Sequence, residues 1–204
     1  MNALDHILRK YRIKEKGLVK IDGTRGITLP RIFANLGFTL GAEVGVAKGR
    51  FAQILCQRVP NLKLYGIDVW KVYDGYIDTE ETEQKVMDDI YAYARKLLAP
   101  YNVQIVNEWS MKAVKRFADE SLDFIYIDAN HSYGYVKEDI REWSKKVKKG
   151  GVVSGHDYVN EHAGIPFGVK RAVNEWVAEN KIPYLFILNK NANTEMPSWL
   201  YVKE

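Results

Sequence analysis

Residues 42–50, Ala42-Glu43-Val44-Gly45-Val46-Ala47-Lys48-Gly49-Arg50, close a short apolar run and open a helical pattern. A strand that passes through two glycines into a helix reads as the first crossing of an open α/β sheet, and such sheets take ligands at the carboxyl ends of their strands. Gly45 lets the backbone turn tightly, and Gly49 allows close approach of a ligand or a packed helix. A nicotinamide-dinucleotide loop would want glycine where this chain has Ala47 and Arg50. Glu43 also sits badly beside a pyrophosphate, because two anions would meet in a poorly screened cleft.

Outward from this loop the chain alternates. Short apolar runs at 39–44, 63–68, 103–106, 124–128, 151–154, 184–188 and 199–202 are separated by stripes at helical spacing, such as Val136, Ile140, Trp143 and Val147. That alternation predicts a parallel sheet covered by helices on both faces. The last two runs are joined by an Asn-rich stretch too short for a crossover helix, so they should pair antiparallel. No repeat or Pro/Gly/Ser-rich linker divides the chain. Residues 1–38 read as a helical extension, a cap or lid on the 39–204 domain. Its first helix carries Ala3, Leu4, Ile7, Leu8 and Tyr11, and Pro30 stands in the first turn of a second.

The run Leu64-Tyr65-Gly66-Ile67-Asp68 ends in a carboxylate roughly two dozen residues after Gly45, a placement suited to ribose hydroxyls. With Glu43 unsuited to a pyrophosphate, a cationic nucleoside fits better. S-adenosylmethionine, with its sulfonium and ammonium, has that character.

These segments resemble the class I S-adenosylmethionine-dependent methyltransferases. GAEVGVAKGRFAQIL (41–55) is similar to their first motif and YGIDVW (65–70) to their second. FIYIDANHSYGYVKEDI (124–140) and VKKGGVVSGHDY (147–158) are similar to later ones. IDANHSY and GGVVSGHDY are similar, more narrowly, to the group of macrolide-sugar O-methyltransferases and cephalosporin-hydroxylase-like proteins. The resemblance, over roughly residues 36–204, implies a Rossmann-like fold: a seven-stranded, mostly parallel sheet, a C-terminal antiparallel hairpin and helices on both faces. It implies Glu43, Gly45, Val46 and Gly49 at the cofactor's methionine end. Asp68 would take the ribose with Val69 and Trp70 beside it, and Glu108, Trp109 and Ser110 the adenine, although many relatives have Gly-Asp where this chain has Asn107-Glu108.

Methyl transfer to a hydroxyl needs positioning and removal of the hydroxyl proton. Asp128 ends the fourth run with His131 three residues later, and His156 and Asp157 end the fifth. In the resembled sugar methyltransferases an Asp and an acidic pair at these positions bind Mg²⁺, and His at the position of His131 is the base. Here the pair is His-Asp, and imidazole suits Mn²⁺ or a later transition ion better than Mg²⁺. The expectation is that Asp128, His156 and Asp157 hold a divalent ion, Mg²⁺ or Mn²⁺, with Asp128 also serving the methionine end and His131 as base. Two alternatives stay open. His131 could brace the turn before the next helix, or His156 could be a metal-free base oriented by Asp157. Trp70, Tyr73, Tyr76, Tyr133, Tyr135 and Tyr158 offer aromatic surface for an acceptor, with Tyr135 the one expected in the core. Residues 70–80 read as a lid.

At 204 residues, 47% hydrophobic and 27% charged, the chain is an ordinary globular domain, not a disordered or fibrous one. Cys56 stands alone, so no internal disulfide or zinc ribbon is expected. The N-terminus shows no apolar signal region, and the stretch 32–42, free of charge, is too short to span a bilayer; a cytoplasmic protein without membrane contact is expected. The net charge of +4 is mild, and the run 145–149 reads as a solvated helix end. The expected partner is a small-molecule acceptor, with sugars in that class; a homo-oligomer is compatible with the sequence. A nucleic-acid methylase would carry an Asn- or Asp-Pro-Pro-aromatic motif where this chain has Asp128-Ala129-Asn130-His131. An NAD(P)-dependent oxidoreductase is disfavoured by Glu43, Ala47 and Arg50, and a pure binding module would leave the paired His and Asp idle.

Overall fold

The computed structural model describes residues 2–74, 83–188 and 196–204. After a first helix α1 (Ala3–Lys10) come β1 (Gly17–Ile21) and α2 (Arg25–Asn35). Then β2 (Leu40–Val44), α3 (Arg50–Arg58), β3 (Lys63–Asp68), α4 (Gln84–Leu98) and β4 (Val103–Asn107) form the first alternating half. The second half is α5 (Ser110–Ala113), β5 (Leu122–Ile127), α6 (Tyr133–Lys146) and β6 (Val147–Gly155). A ribbon of β7 (Glu161–His162) and β8 (Ile165–Pro166) leads to α7 (Val169–Glu179), β9 (Tyr184–Leu188) and β10 (Ser198–Val202).

Eight strands make one sheet in the order β4-β3-β2-β5-β6-β10-β9-β1. β10 runs antiparallel to both neighbours, as expected of the terminal pair. The remaining ladders are parallel. The Rossmann-like arrangement of the sequence analysis is therefore present, with an eighth strand added at one edge. That strand, β1, lies in the segment read as helical. Of its residues only Ile21 is buried, so it has no alternation to announce it, and its place comes from backbone pairing with β9.

Alternation along the strands divides the core. Phe124 and Tyr126 face α1, α2 and α3 with Ile7, Leu29, Phe33 and Leu55, whereas Ile125, Ile127 and Val153 face α6 and α7 with Trp143 and Val173. Phe33 stacks on Phe124 with ring centroids 4.1 Å apart. Gly41 makes room for that ring: a Cβ there would stand 2.2 Å from Phe124 Cζ.

Two local readings are corrected. Pro30 lies inside α2, not in its first turn. Its missing N–H would leave the carbonyl of Gly26, four residues back, without a helical partner. Arg58 of α3 supplies one, Nη1 donating to Gly26 O at 2.7 Å, so the helix runs through the proline. Val147 begins β6, paired with Leu122, and does not end the helical stripe. The run 145–149 therefore straddles a helix end and a strand start. Lys146 pairs with Asp119 at 2.6 Å and Lys148 with Asp123 at 2.8 Å.

The chain leaves β2 toward β3 and β4, then returns to β5 on the other side of β2. This reversal opens a crevice at the strands' carboxyl ends, between the loops after β2 and β5.

Candidate active site

The turn after β2 is built on two glycines with different duties. Gly45 has φ 91°, and a Cβ there would fall 1.9 Å from the carbonyl oxygen of Asp128; the two loops of the crevice touch through bare backbone. Gly49, φ 78°, caps α3, and its missing Cβ leaves space for Leu98 at 3.0 Å. Gly49 thus serves helix packing. Ala47 is held left-handed at φ 45°, and Trp70 Nε1 donates to its carbonyl at 3.0 Å. Trp70 is itself buried against Tyr91 and braces the loop.

Asp68 knits this loop to β3. Its Oδ2 accepts from Val46 N at 2.9 Å and Ala47 N at 2.8 Å, and Oδ1 from Trp70 N at 3.1 Å. Burial pushes the carboxyl up, against the downward pull of these N–H donors. Glu43 stands elsewhere. Strand alternation turns it to the Tyr126 face, 2% exposed, whereas its neighbour Val44 lines the crevice. Burial, and then the nearby Asp128, drive the Glu43 carboxyl well above the usual range.

The crevice holds a cavity of about 380 Å³. Gly45, Ala47, Asp68, Val69 and Trp70 form one side, Met87 and Ile90 of α4 add apolar wall, and Asp128, Ala129 and Asn130 close the end toward β5. Glu108, Trp109 and Ser110 line the far end. Lys112 and Arg116 pair with Glu108 and hold its carboxyl low. Trp109, 42% exposed, meets Tyr73 edge-on at 4.7 Å. Ser110 donates to Asp139 while accepting from Trp143 Nε1 at 2.8 Å.

The expected aromatic set is divided. Tyr135 stands on the cavity wall, 42% exposed, because one helical step separates it from the buried Val136. Tyr158, like Trp70, is buried, and it donates to Asn174. Tyr133 bonds Glu175 on α7. Tyr73 reaches the cavity and accepts from Asn130 Nδ2 at 3.2 Å. Tyr76 and the far end of the 70–80 stretch lie outside the described residues.

Next to Asp128 the two histidines and Asp157 come together. His131 Nε2 lies 2.9 Å from Asp157 Oδ2 and 3.6 Å from Asp128 Oδ1. His156 Nδ1 lies 2.9 Å from Asp157 Oδ1 and 3.9 Å from Asp128 Oδ1. Asp157 takes a left-handed φ of 51°, which lets one carboxylate serve both rings. Burial raises the Asp157 carboxyl, but hydrogen bonds from His131 and His156 outweigh it and keep it below the ordinary range. Asp128 is lowered too: burial opposes, while the His131 bond and the charges of His156 and Arg25 prevail. Phe167, beyond the β7–β8 ribbon, stacks on the His131 ring at 4.6 Å. Asp128, His131 and Asp157 place one donor atom each within 4.8 Å of one another, so His131 stands in the trio where His156 was expected.

A glycine turn over a strand-terminal carboxylate thus opens beside paired His and Asp. The methyltransferase-domain family matches over residues 42–158. The chain belongs to this family. It is an S-adenosylmethionine-dependent methyltransferase. No curated protein matches the methyltransferase in sequence. Among solved structures it is similar to an O-methyltransferase from Bacillus cereus in complex with S-adenosylhomocysteine. The two are 15% identical with a TM-score of 0.64, over 98% of this chain and 90% of that one. It is also similar to the O-methyltransferase TomG from Streptomyces achromogenes, 14% identical with a TM-score of 0.66, over 99% and 90%. Spermidine synthase from Thermotoga maritima, 12% identical with a TM-score of 0.58 over 84% and 56%, shares the fold as well. Likeness at such identities establishes the fold alone.

Four residues that the structure places at the candidate site were not singled out by the sequence reading: Arg25, Asn130, Asp139 and Phe167. Asn130 stood inside a quoted motif and could have been found there. Asp139 is masked as a polar residue one step before Ile140, and Arg25 and Phe167 reach the site from segments with no motif.

Proposed function

We propose that this methyltransferase moves the methyl group of S-adenosylmethionine to a hydroxyl of a small molecule, with sugar hydroxyls in the class it accepts. The carrying observation is the junction at Asp128, where the cavity under the glycine turn meets the His131–Asp157–His156 cluster. The O-methyltransferases sharing the fold, described with S-adenosylhomocysteine and with S-adenosylmethionine, support the same reading, as does the narrower resemblance to sugar O-methyltransferases.

Bound in the cavity, S-adenosylmethionine supplies an electrophilic methyl on a sulfonium. Asp68 accepts from the ribose hydroxyls, the Glu108–Ser110 end holds the adenine, and Asp128, kept ionised, faces the ammonium. His131 takes the acceptor's hydroxyl proton, and Asp157, 2.9 Å from its Nε2, orients the ring and offsets the charge it gains. The cofactor, held by these residues, would supply the methyl group to the oxygen that His131 has deprotonated.

The Asp128–His131–Asp157 trio favours a second reading. Two hard oxygens and one imidazole nitrogen fit a divalent ion such as Mn²⁺, which would acidify a bound hydroxyl, with His156 left beside the site as base.

Titration calorimetry with S-adenosylhomocysteine, with and without Mn²⁺, tests both. Micromolar binding that weakens by about tenfold or more in Asp68→Ala is expected from the loss of charged hydrogen bonds. No binding under either condition would overturn the cofactor assignment. A separate Mn²⁺ heat that disappears in Asp157→Ala selects the metal reading, and its absence in the wild type selects the His131–Asp157 pair alone.

A further inference from the structure

Asp128 is held by a residue from far away in the chain. Arg25 opens α2, 103 positions upstream, and its Nη1 lies 2.6 Å from Asp128 Oδ2. The same nitrogen lies 3.1 Å from the Tyr126 hydroxyl, and the guanidinium sits over the Phe51 ring at 5.4 Å. Both partners of the ion pair are mostly covered, with side chains 28% and 19% exposed. On its other side Asp128 faces His131 at 3.6 Å and His156 at 3.9 Å. The carboxylate thus stands between a guanidinium from the N-terminal segment and two imidazoles from the catalytic strand ends.

We propose that Arg25 is a positioning residue for Asp128: it holds the carboxylate against the cavity wall, facing the cofactor's ammonium, and so makes the N-terminal segment part of the cofactor site. The inference rests on the S-adenosylmethionine reading above. The physical reason is the position of the competing partners. A covered carboxylate that loses its cation is drawn to the nearest remaining positive or hydrogen-bonding groups, here the two histidines, and rotation toward them turns it away from the cavity. Lying over the Phe51 ring while one nitrogen reaches both the Asp128 carboxylate and the Tyr126 hydroxyl suits the planar guanidinium. Lysine keeps the charge but not that geometry. The segment 1–38 is then no detachable cap: α2 is seated by Phe33 on Phe124 and by Arg58 on Gly26, and those contacts set where Arg25 reaches.

Calorimetry with S-adenosylhomocysteine on five proteins decides it: the wild type, Arg25→Lys, Arg25→Gln, Asp128→Asn, and the double variant Arg25→Gln/Asp128→Asn. Arg25→Gln is expected to weaken binding about tenfold and Arg25→Lys by about threefold or less. The double variant should bind no more weakly than Asp128→Asn, because Arg25 acts only through that carboxylate. Wild-type affinity in Arg25→Gln, or in Asp128→Asn, would overturn the proposal. So would losses that multiply in the double variant, the signature of two independent roles. Should Arg25→Gln fail to fold, loss of binding beyond about tenfold in a folded Arg25→Lys would equally overturn it, since retained charge would then not suffice. A wild type that does not bind S-adenosylhomocysteine sinks the cofactor reading instead, a result separable from the others because no substitution enters it.

Discussion

Asp139 shows how one residue's surroundings can set a pH dependence. It projects from α6 into the cavity wall, accepts from Ser110, and is almost fully buried. Burial dominates, and the adjacent Glu138 adds to it, so the carboxyl is pushed up to about 7 despite the Ser110 bond. Between about pH 4 and 7 the folded protein keeps a proton that the unfolded chain has released. The unfolded state binds fewer protons there, so stability falls as pH rises through this window and levels off above it. The cost at pH 8 is on the order of a few kcal/mol. Asp139→Asn keeps an acceptor for Ser110 and cannot ionise. Urea midpoints for the variant should stay level from pH 5 to about 8 while those of the wild type decline. Parallel declines in the two proteins would mean that Asp139 is ionised throughout. Nothing in the order of residues foretold this. Asp139 looks like one more polar position on an amphipathic helix, and only the fold brings Ser110 against it.

Among the elements, the glycine turn after β2 was the most legible, because its conformational demands are local. Gly45 and Asp68 could be found from spacing alone. The distinction between the two glycines could not, since it depends on which neighbours approach: the Asp128 backbone at Gly45, the Leu98 side chain at Gly49. Gly45→Ala therefore meets both a left-handed φ and a carbonyl oxygen that cannot move aside. The variant should lose S-adenosylhomocysteine binding by more than about tenfold and about 1–3 kcal/mol of stability, the scale of backbone strain at a special φ. Retention of both would show that the loop re-forms around a Cβ. Helix α2 was legible only in part. Its apolar spacing was visible, but a proline in the sixth position argued for a later start, and the compensating Arg58 lies on another helix.

At the scale of the whole molecule, β1 ties the N-terminal segment into the sheet beside β9. It covers an edge whose residues Leu185, Phe186, Ile187 and Leu188 are all buried, and α1 adds Ala3 and Ile7 to the same core. Deleting residues 1–22 keeps Arg25 but removes these contacts, about 3 kcal/mol or more for Ile7 and Ile21 together, and opens β9 as a free apolar edge. The truncated protein is expected to melt several degrees lower and to associate on size-exclusion chromatography as its concentration rises. An unchanged melt and a monomeric profile would show β1 to be dispensable. The alternation of apolar runs and helical stripes was enough to establish the sheet, the antiparallel close and the crevice, because strand and helix periods, and the direction of parallel crossovers, are set by local chemistry. The same holds for Gly45, Asp68 and Asp128, which stand at strand ends wherever those strands lie. The tertiary structure alone decided which groups share that crevice: that Glu43 turns away from it, that His131 joins Asp128 and Asp157, and that Arg25 reaches Asp128 from 103 residues away. Those outcomes depend on which face of a strand is covered and on how far a side chain reaches across packed elements, quantities that exist only once the sheet has closed its core.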